Sequence, residues 1–243
     1  MNSVLTGYLR LMRPANLPTA AADIFAGAAL AGILSASFPI AHLLLLVFAS
    51  VFLYAGGVVL NDVFDFKIDK VERPERPIPS GLIPLKSAAF FGIILLTIGI
   101  VLAFLVNQLS GFIALVLAGS IVLYDGFSKK DGFLGPLNMG LCRGLNLILG
   151  MSVLGVLGNW WYALIPLVYI FAITLISRGE VHGDNKNHII WAGILYAMVI
   201  SAVVTIVMTE TSNISQTLPF LLLFAFLVYK PLVKAYQLNS PEH

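Results

Sequence analysis

The chain has 243 residues, of which 59% are hydrophobic and only 11% charged, with a formal net charge of +2. Soluble domains carry roughly 45–50% apolar and 25% charged residues, so this balance excludes a water-soluble globular protein and points to an integral membrane protein. A single cysteine, Cys142, excludes an intramolecular disulfide and a thiolate metal cluster, and so small a net charge gives no reason to expect a nucleic-acid partner.

A membrane-crossing helix needs about 20 mainly apolar residues. Eight such stretches follow one another, at roughly 15–34, 41–60, 87–106, 112–124, 138–157, 160–176, 188–208 and 216–233. The fourth is short and is expected to begin earlier. The connections are mostly brief, so the expected architecture is one domain over residues 1–243: an all-α, multi-pass transmembrane helix bundle of about eight spans. The turns near 35–40, 107–110, 158–159 and 209–215 hold no Lys or Arg, and all fourteen bases lie at the N-terminus, in the other three loops, at the helix ends beside them, or at the C-terminus. By the positive-inside rule both termini are then cytoplasmic, in the cell membrane. The same one-sided charge suits an anionic leaflet and anionic substrates. The first apolar run follows Arg10 and Arg13 and lacks a small-residue cleavage site, so it is read as a span and not as a removed signal peptide.

Arg13 precedes the first span, where it is equally an ordinary membrane-edge cation. Within the span, Asn16 and Asp23 are seven residues apart and share a face. An ionisable group such as Asp23 well inside a span is rare and usually faces a cavity or a partner. The second span ends in YAGGVVLND, where Gly56 and Gly57 allow close approach of a neighbouring helix.

Asn61 then opens the most charged stretch of the chain, NDVFDFKIDKVERPERPIPSG. Asp62, Asp65 and Asp69 fall at i, i+3 and i+7, a spacing that stacks three carboxylates on one helical face. One reading is a solvated helix end whose acids pair with neighbouring Lys and Arg. The other is a Mg²⁺ site, because Mg²⁺ takes hard oxygen ligands and is commonly held by one or two carboxylates plus substrate phosphates. Arg73 and Arg76 suit bidentate phosphate contacts. Pro74, Pro77, Pro79 and Gly81 bend the chain after about Arg73, so these bases sit on a loop.

This run, NDxxDxxxD followed by RPxRPIPSG at the end of an apolar helix, resembles the first aspartate-rich motif of the UbiA superfamily of intramembrane prenyltransferases. The resemblance covers essentially the whole chain in span order, although UbiA-like proteins often have nine spans and eight are found here. It implies a Mg²⁺ site at Asn61, Asp62, Asp65 and Asp69, with the three aspartates carrying catalysis. It also implies that the RP-x-N stretch of Arg13 and Asn16 borders the substrate cavity. In the loop after the fourth span, YDGFSKKDG, UbiA-like proteins often carry Tyr-x-x-x-x-Lys-Arg. Tyr124, Lys129 and Lys130 reproduce that spacing with lysine in the last place, which keeps a phosphate-attracting charge but loses the arginine fork.

Farther on, Arg143 lies inside the fifth apolar stretch, which is costly unless it faces a carboxylate, a phosphate or water; Asn138 and Asn146 are candidates for the same lining. The loop after the sixth span, SRGEVHGDNKNH, places Glu180 and Asp184 one helical turn apart. The superfamily usually has two aspartates at that spacing, and some members have another where Ser177 stands, so the resemblance implies a second Mg²⁺ site in weakened form. His182 and His188 are read as incidental.

The expected activity is Mg²⁺-dependent transfer of a prenyl group from a polyprenyl diphosphate to a lipophilic acceptor within the bilayer. Both an aromatic ring and a prenylated glycerol phosphate fit the resemblance as acceptors. Expected substrate contacts are Arg13, Asn16, Asp23, Arg73, Arg76, Tyr124, Lys129, Lys130 and Arg143. The alternative is a non-catalytic membrane protein that binds or carries a prenyl lipid or other amphipathic metabolite. A CDP-alcohol phosphotransferase also sets aspartates over a metal at the membrane edge, but no DGxxAR-type run precedes Asp62.

Overall fold

The computed structural model describes the backbone of residues 3–33, 39–182, 186–210 and 214–238, and the side chains of 4–33, 39–177, 189–209 and 215–234. Within these residues the chain forms ten α-helices joined by turns and short 3-10 segments, without strands. They are α1 (Ser3–Met12), α2 (Leu17–Leu30), α3 (Ile40–Phe64), α4 (Phe66–Glu72), α5 (Leu85–Val106), α6 (Gln108–Gly126), α7 (Leu134–Met151), α8 (Leu164–His182), α9 (Lys186–Glu210) and α10 (Ile214–Leu238).

Among the described residues, seven helical stretches are long and apolar enough to cross a membrane: Ile40–Phe64, Leu85–Val106, Gln108–Gly126, Leu134–Leu154, Trp160–Ser177, Ile189–Thr209 and Ser215–Lys234. The chain is thus an all-α, multi-pass membrane bundle, because in hydrocarbon a long apolar run must satisfy its backbone internally. The fourth expected span does begin earlier, at Gln108, and the fifth ends sooner, where Met151 gives way to a 3-10 turn and to Gly155 with φ 77°. At the place of the first expected span stands α2, only 14 residues long. At 1.5 Å per residue it reaches about 21 Å, short of a hydrocarbon core of about 30 Å. The 3-10 turn at Pro14–Asn16 precedes it, and Gly32 at φ 82° follows it.

α3 is the central post, packed against α5, α2 and α6, while α7 lies against α2, α6 and α8. Buried side chains of α2, α3, α5, α6 and α7, among them Ile24, Leu46, Leu53, Leu117 and Leu149, form the main core. A second cluster, including Leu11, Val59, Ile78, Ile83 and Leu95, seats α1 and the 78–83 loop on α3 and α5. A third, with Ala172, Ala192, Tyr196 and Leu232, joins α8, α9 and α10. Several helix pairs approach at backbone distance. A Cβ on Gly27 would meet the Leu147 carbonyl oxygen and one on Gly150 the Ile24 carbonyl, so α2 and α7 touch main chain to main chain. A Cβ on Gly56 would strike Leu96 and the Gly92 carbonyl, which fixes α3 on α5.

One end of this bundle is closed by neutral groups. Asn107 caps α6 by accepting from the Ser110 N–H at 2.8 Å and donates to the Ser152 carbonyl at 2.9 Å, while the Ser110 and Ser152 hydroxyls lie 2.7 Å apart. The other end gathers the start of α2, the ends of α3 and α6 and the start of α7, and there the polar chemistry concentrates.

Candidate active site

α3 does not run straight through the aspartates. Asp65 leaves helical geometry at φ −84°, ψ 1°, and α4 starts immediately after it, so the helix bends between Asp62 and Asp69. α4 ends at Glu72, before Pro74, as the prolines require. The chain then turns back through Arg73–Arg76 and Arg76–Ser80 backbone hydrogen bonds to Gly81 at φ 78°.

That return aims Arg76 at the aspartates: Nη1 lies 2.6 Å from Asp69 Oδ2 and 3.2 Å from Asp62 Oδ1. Arg13 reaches the same Asp62 oxygen from the other side, Nη2 to Oδ1 at 2.6 Å. Asp65 takes a different partner, the Lys129 ammonium at 2.5 Å, from the short 3-10 turn after α6. The expectation of three carboxylates stacked on one helical face is therefore corrected. Asp62 and Asp69 share a guanidinium, and the bend at Asp65 turns the third carboxylate to Lys129. Such pairing is what buried charge requires, for Asp62 and Asp69 are both buried.

Beneath this cluster a cavity of about 360 Å³ opens between α2, α3, α6 and α7. Arg13, Asn61, Tyr124 and Asp125 line its charged end, Leu53, Val58, Leu117 and Ile121 its apolar wall, and Ser50, Arg143 and Asn146 a second polar stretch. Arg143 Nε lies 3.1 Å from Asp23 Oδ2, so the two ionisable residues inside the apolar spans are partners. Asn146 donates to Asp23 at 2.9 Å and to the Ala20 carbonyl at 3.1 Å, and accepts from the Ser50 hydroxyl at 2.7 Å.

Several expected contacts lie elsewhere. Arg73 and Lys130 are exposed, whereas Arg76, three residues on from Arg73, and Lys129, next to Lys130, turn inward. Asn16 is exposed, and it precedes α2 instead of sharing a helical face with Asp23. Asn138 is buried against the Ser128 hydroxyl at 2.9 Å, away from the cavity lining. The side chain of Glu180, on the last turns of α8, and all of Asp184 lie outside the described residues, as do the His182 and His188 side chains. Asp125 was missed. It is buried, lines the cavity and accepts from Asn61 Nδ2 at 2.8 Å. Its signal in the sequence was a carboxylate closing an apolar span, beside a tyrosine already singled out.

The donor set bears on a metal. Among the described residues no three His, Cys, Asp or Glu side chains are gathered around one point. Mg²⁺ asks for less, one or two carboxylates with waters and substrate phosphates. Asp62, Asp65, Asp69 and the Asn61 amide offer hard oxygens without soft nitrogen or sulfur ligands, so the residues fit Mg²⁺ by chemistry.

A family model described as the UbiA prenyltransferase family matches residues 20–241. A digeranylgeranylglyceryl phosphate synthase of Methanococcoides burtonii is 45% identical over 157 residues, which are 62% of this chain and 56% of that protein's length. One from Sulfurisphaera tokodaii is 33% identical over 227 residues, 89% of this chain and 81% of that protein. The structure of a UbiA homologue from Archaeoglobus fulgidus bound to GPP and Mg²⁺ superposes with a TM-score of 0.73 over 96% of both chains at 16% identity, a likeness of fold. A match over nearly the whole chain, carried by an all-helical bundle with this fold, has one meaning: the chain belongs to the UbiA prenyltransferase family.

Proposed function

We propose that this protein transfers a prenyl group from a polyprenyl diphosphate to a prenylated glycerol phosphate, within the membrane and with Mg²⁺. The observation that carries the reading is the charged cluster of Arg13, Arg76 and Lys129 on Asp62, Asp69 and Asp65 at the head of a cavity with an apolar wall. One substrate of such a site is anionic at one end and hydrocarbon along the rest. The names of the two relatives support the glycerol-phosphate acceptor over an aromatic one, and the GPP and Mg²⁺ bound by the Archaeoglobus homologue support the donor and the cofactor.

The residues divide the work by charge. Asp62, Asp65 and Asp69, with Asn61, would hold Mg²⁺, and Glu180 with Asp184 is the proposed second set. When bound, Mg²⁺ supplies positive charge to the departing diphosphate. Arg13, Arg76 and Lys129 stand where they can exchange carboxylate for diphosphate oxygens and stabilise the negative charge that grows as the donor C–O bond breaks. Leu53, Leu117 and Ile121 offer the prenyl chain a dry wall and keep water from the allylic carbon. The acceptor hydroxyl oxygen forms the new C–O bond and gives up its proton to the departing diphosphate or to water. The Lys and Arg distribution supports a cell-membrane protein with both termini and this site on the cytoplasmic side.

The test uses purified protein with prenyl diphosphates of several lengths, following diphosphate release with and without a prenylated glycerol phosphate. Mg²⁺-dependent release that rises with the acceptor is expected. Absence of release with every donor would favour a lipid binder, and preference for an aromatic acceptor would overturn the acceptor assignment.

A further inference from the structure

The donor cluster uses Arg13, Arg76 and Lys129, yet the same cavity has a second cationic place that this chemistry leaves without a role. Arg143 is the tenth residue of α7, which begins at Leu134, and so lies about 13 Å along that helix from its start. A guanidinium inside a span is held only at a cost, and the surroundings here are built to hold it. Asp23 fixes Nε at 3.1 Å, and the first turn of α2 takes two more donors, at the Thr19 carbonyl (3.3 Å) and the Thr19 hydroxyl (3.5 Å). Asp23 is itself held by Asn146, and Asn146 by Ser50. The backbone contact of Gly27 and Gly150 locks α2 to α7, the two helices that carry the pair.

A guanidinium has five N–H donors. Three are engaged here, which leaves two on a side chain that lines the cavity while Asp23 does not. No hydrogen bond or ion pair among the described residues joins Arg143 to Asp62, Asp65 or Asp69. The reaction brings two polar heads into one cavity, the donor diphosphate and the head of the acceptor. With the aspartate end occupied by the first, we infer that Arg143 is the specificity-determining residue for the second: it binds the phosphomonoester of the acceptor, and Asp23, Asn146 and Ser50 orient it. Asp23 neutralises the guanidinium before the acceptor arrives and turns its free edge toward the cavity, which makes Asp23 a positioning residue. This inference rests on the acceptor assigned under the proposed function.

The experiment measures acceptor and donor KM separately, with a prenylated glycerol phosphate as acceptor and the melting temperature as folding control. Because Arg143→Gln alone strands the Asp23 carboxylate, the informative variant is the double exchange Arg143→Gln with Asp23→Asn, which removes both charges and keeps both shapes. It is expected to raise acceptor KM about 10- to 100-fold, the scale of charge-assisted hydrogen bonds, with donor KM within about twofold of wild type. Asp23→Asn alone, which keeps the Arg143 charge but loosens its orientation, should raise acceptor KM by less than the double exchange does. In the wild type, glycerol phosphate without a prenyl chain should compete with the acceptor and not with the donor. Acceptor and donor KM moving together, an unchanged acceptor KM in the double variant, or competition against the donor would each overturn the inference while leaving the transferase reading intact. Wild type that turns over donor with aromatic acceptors alone would overturn the acceptor reading and this inference with it.

Discussion

Arg13 and Asp62, 49 positions apart in the chain, meet through a 2.6 Å contact between Nη2 and Oδ1. Arg13 makes that contact from φ 48°, ψ 63°, and it is the one non-glycine residue with positive φ among those described. A side chain in the left-handed region costs about 1–2 kcal/mol, so this backbone is strained where its guanidinium serves the site. Arg13→Gly should relieve the strain as it deletes the cation, and Arg13→Ala should delete the cation and keep the strain. The glycine variant is therefore expected to melt above the alanine variant, while both release diphosphate at least about tenfold more slowly than wild type. Equal melting temperatures would remove the strain argument, and undiminished turnover would remove Arg13 from the site.

Asp65 and Lys129 form the pair nearest the helix bend. If Asp65 is a metal ligand, Asp65→Asn keeps its shape and removes the charge that matters as the leaving group departs. kcat should fall on the order of 10², as when one preorganised electrostatic group is lost, with little change in melting temperature. A mere surface ion pair would be worth about 0–1 kcal/mol and would leave turnover intact.

Basic residues close in sequence, Arg73 with Arg76 and Lys129 with Lys130, make an internal control. Arg76 and Lys129 touch the aspartates, whereas Arg73 and Lys130 are exposed. Alanine at Arg76 or Lys129 should raise donor KM or lower kcat by about tenfold or more, and alanine at Arg73 or Lys130 should stay within about twofold. Steady-state kinetics of the four variants decides it; equal losses across each pair would mean that diffuse positive charge, not position, attracts the donor.

Asp125, which is buried, accepts from the partly buried Asn61 amide. Asp125→Ala strands the Asn61 donor, and an unmade buried hydrogen bond costs about 1–3 kcal/mol. A lower melting temperature is expected, together with reduced activity because Asn61 loses its orientation. Thermal unfolding and diphosphate release measured on one preparation test it, and a variant that melts like wild type would show the pair to be dispensable.

What the sequence made legible follows from solvent. Apolar runs of hydrocarbon length can only be helices, so the long helices stand where composition put them, and the prolines ended α4 where expected. What it hid depends on which side chain a bend aims. The spacing of Asp62, Asp65 and Asp69 assumes an unbroken helix, and the break at Asp65 sends one carboxylate to another element. Arg73 and Arg76 look alike in a proline-rich run, and only the folded-back loop chooses between them. Asp23 and Arg143 were each visible as costly charges, yet 120 residues of chain give no sign that they are partners. Asp125 was passed over because the residue before a turn reads as loop, although α6 buries it.

The Asn107, Ser110 and Ser152 clasp gives the bundle two unlike ends. Its bonds join neutral groups, and dissolved ions barely touch them. The opposite end is drawn together by Arg13, Arg76 and Lys129 on their aspartates, and these cations are partly open to water, so dissolved anions compete for them as salt rises. Ionic strength thus acts on this molecule asymmetrically, as a dial that loosens the entrance while the floor stays shut. In hydrogen exchange at rising salt, the backbone amides around residues 62–81 should lose protection long before those at 107–111.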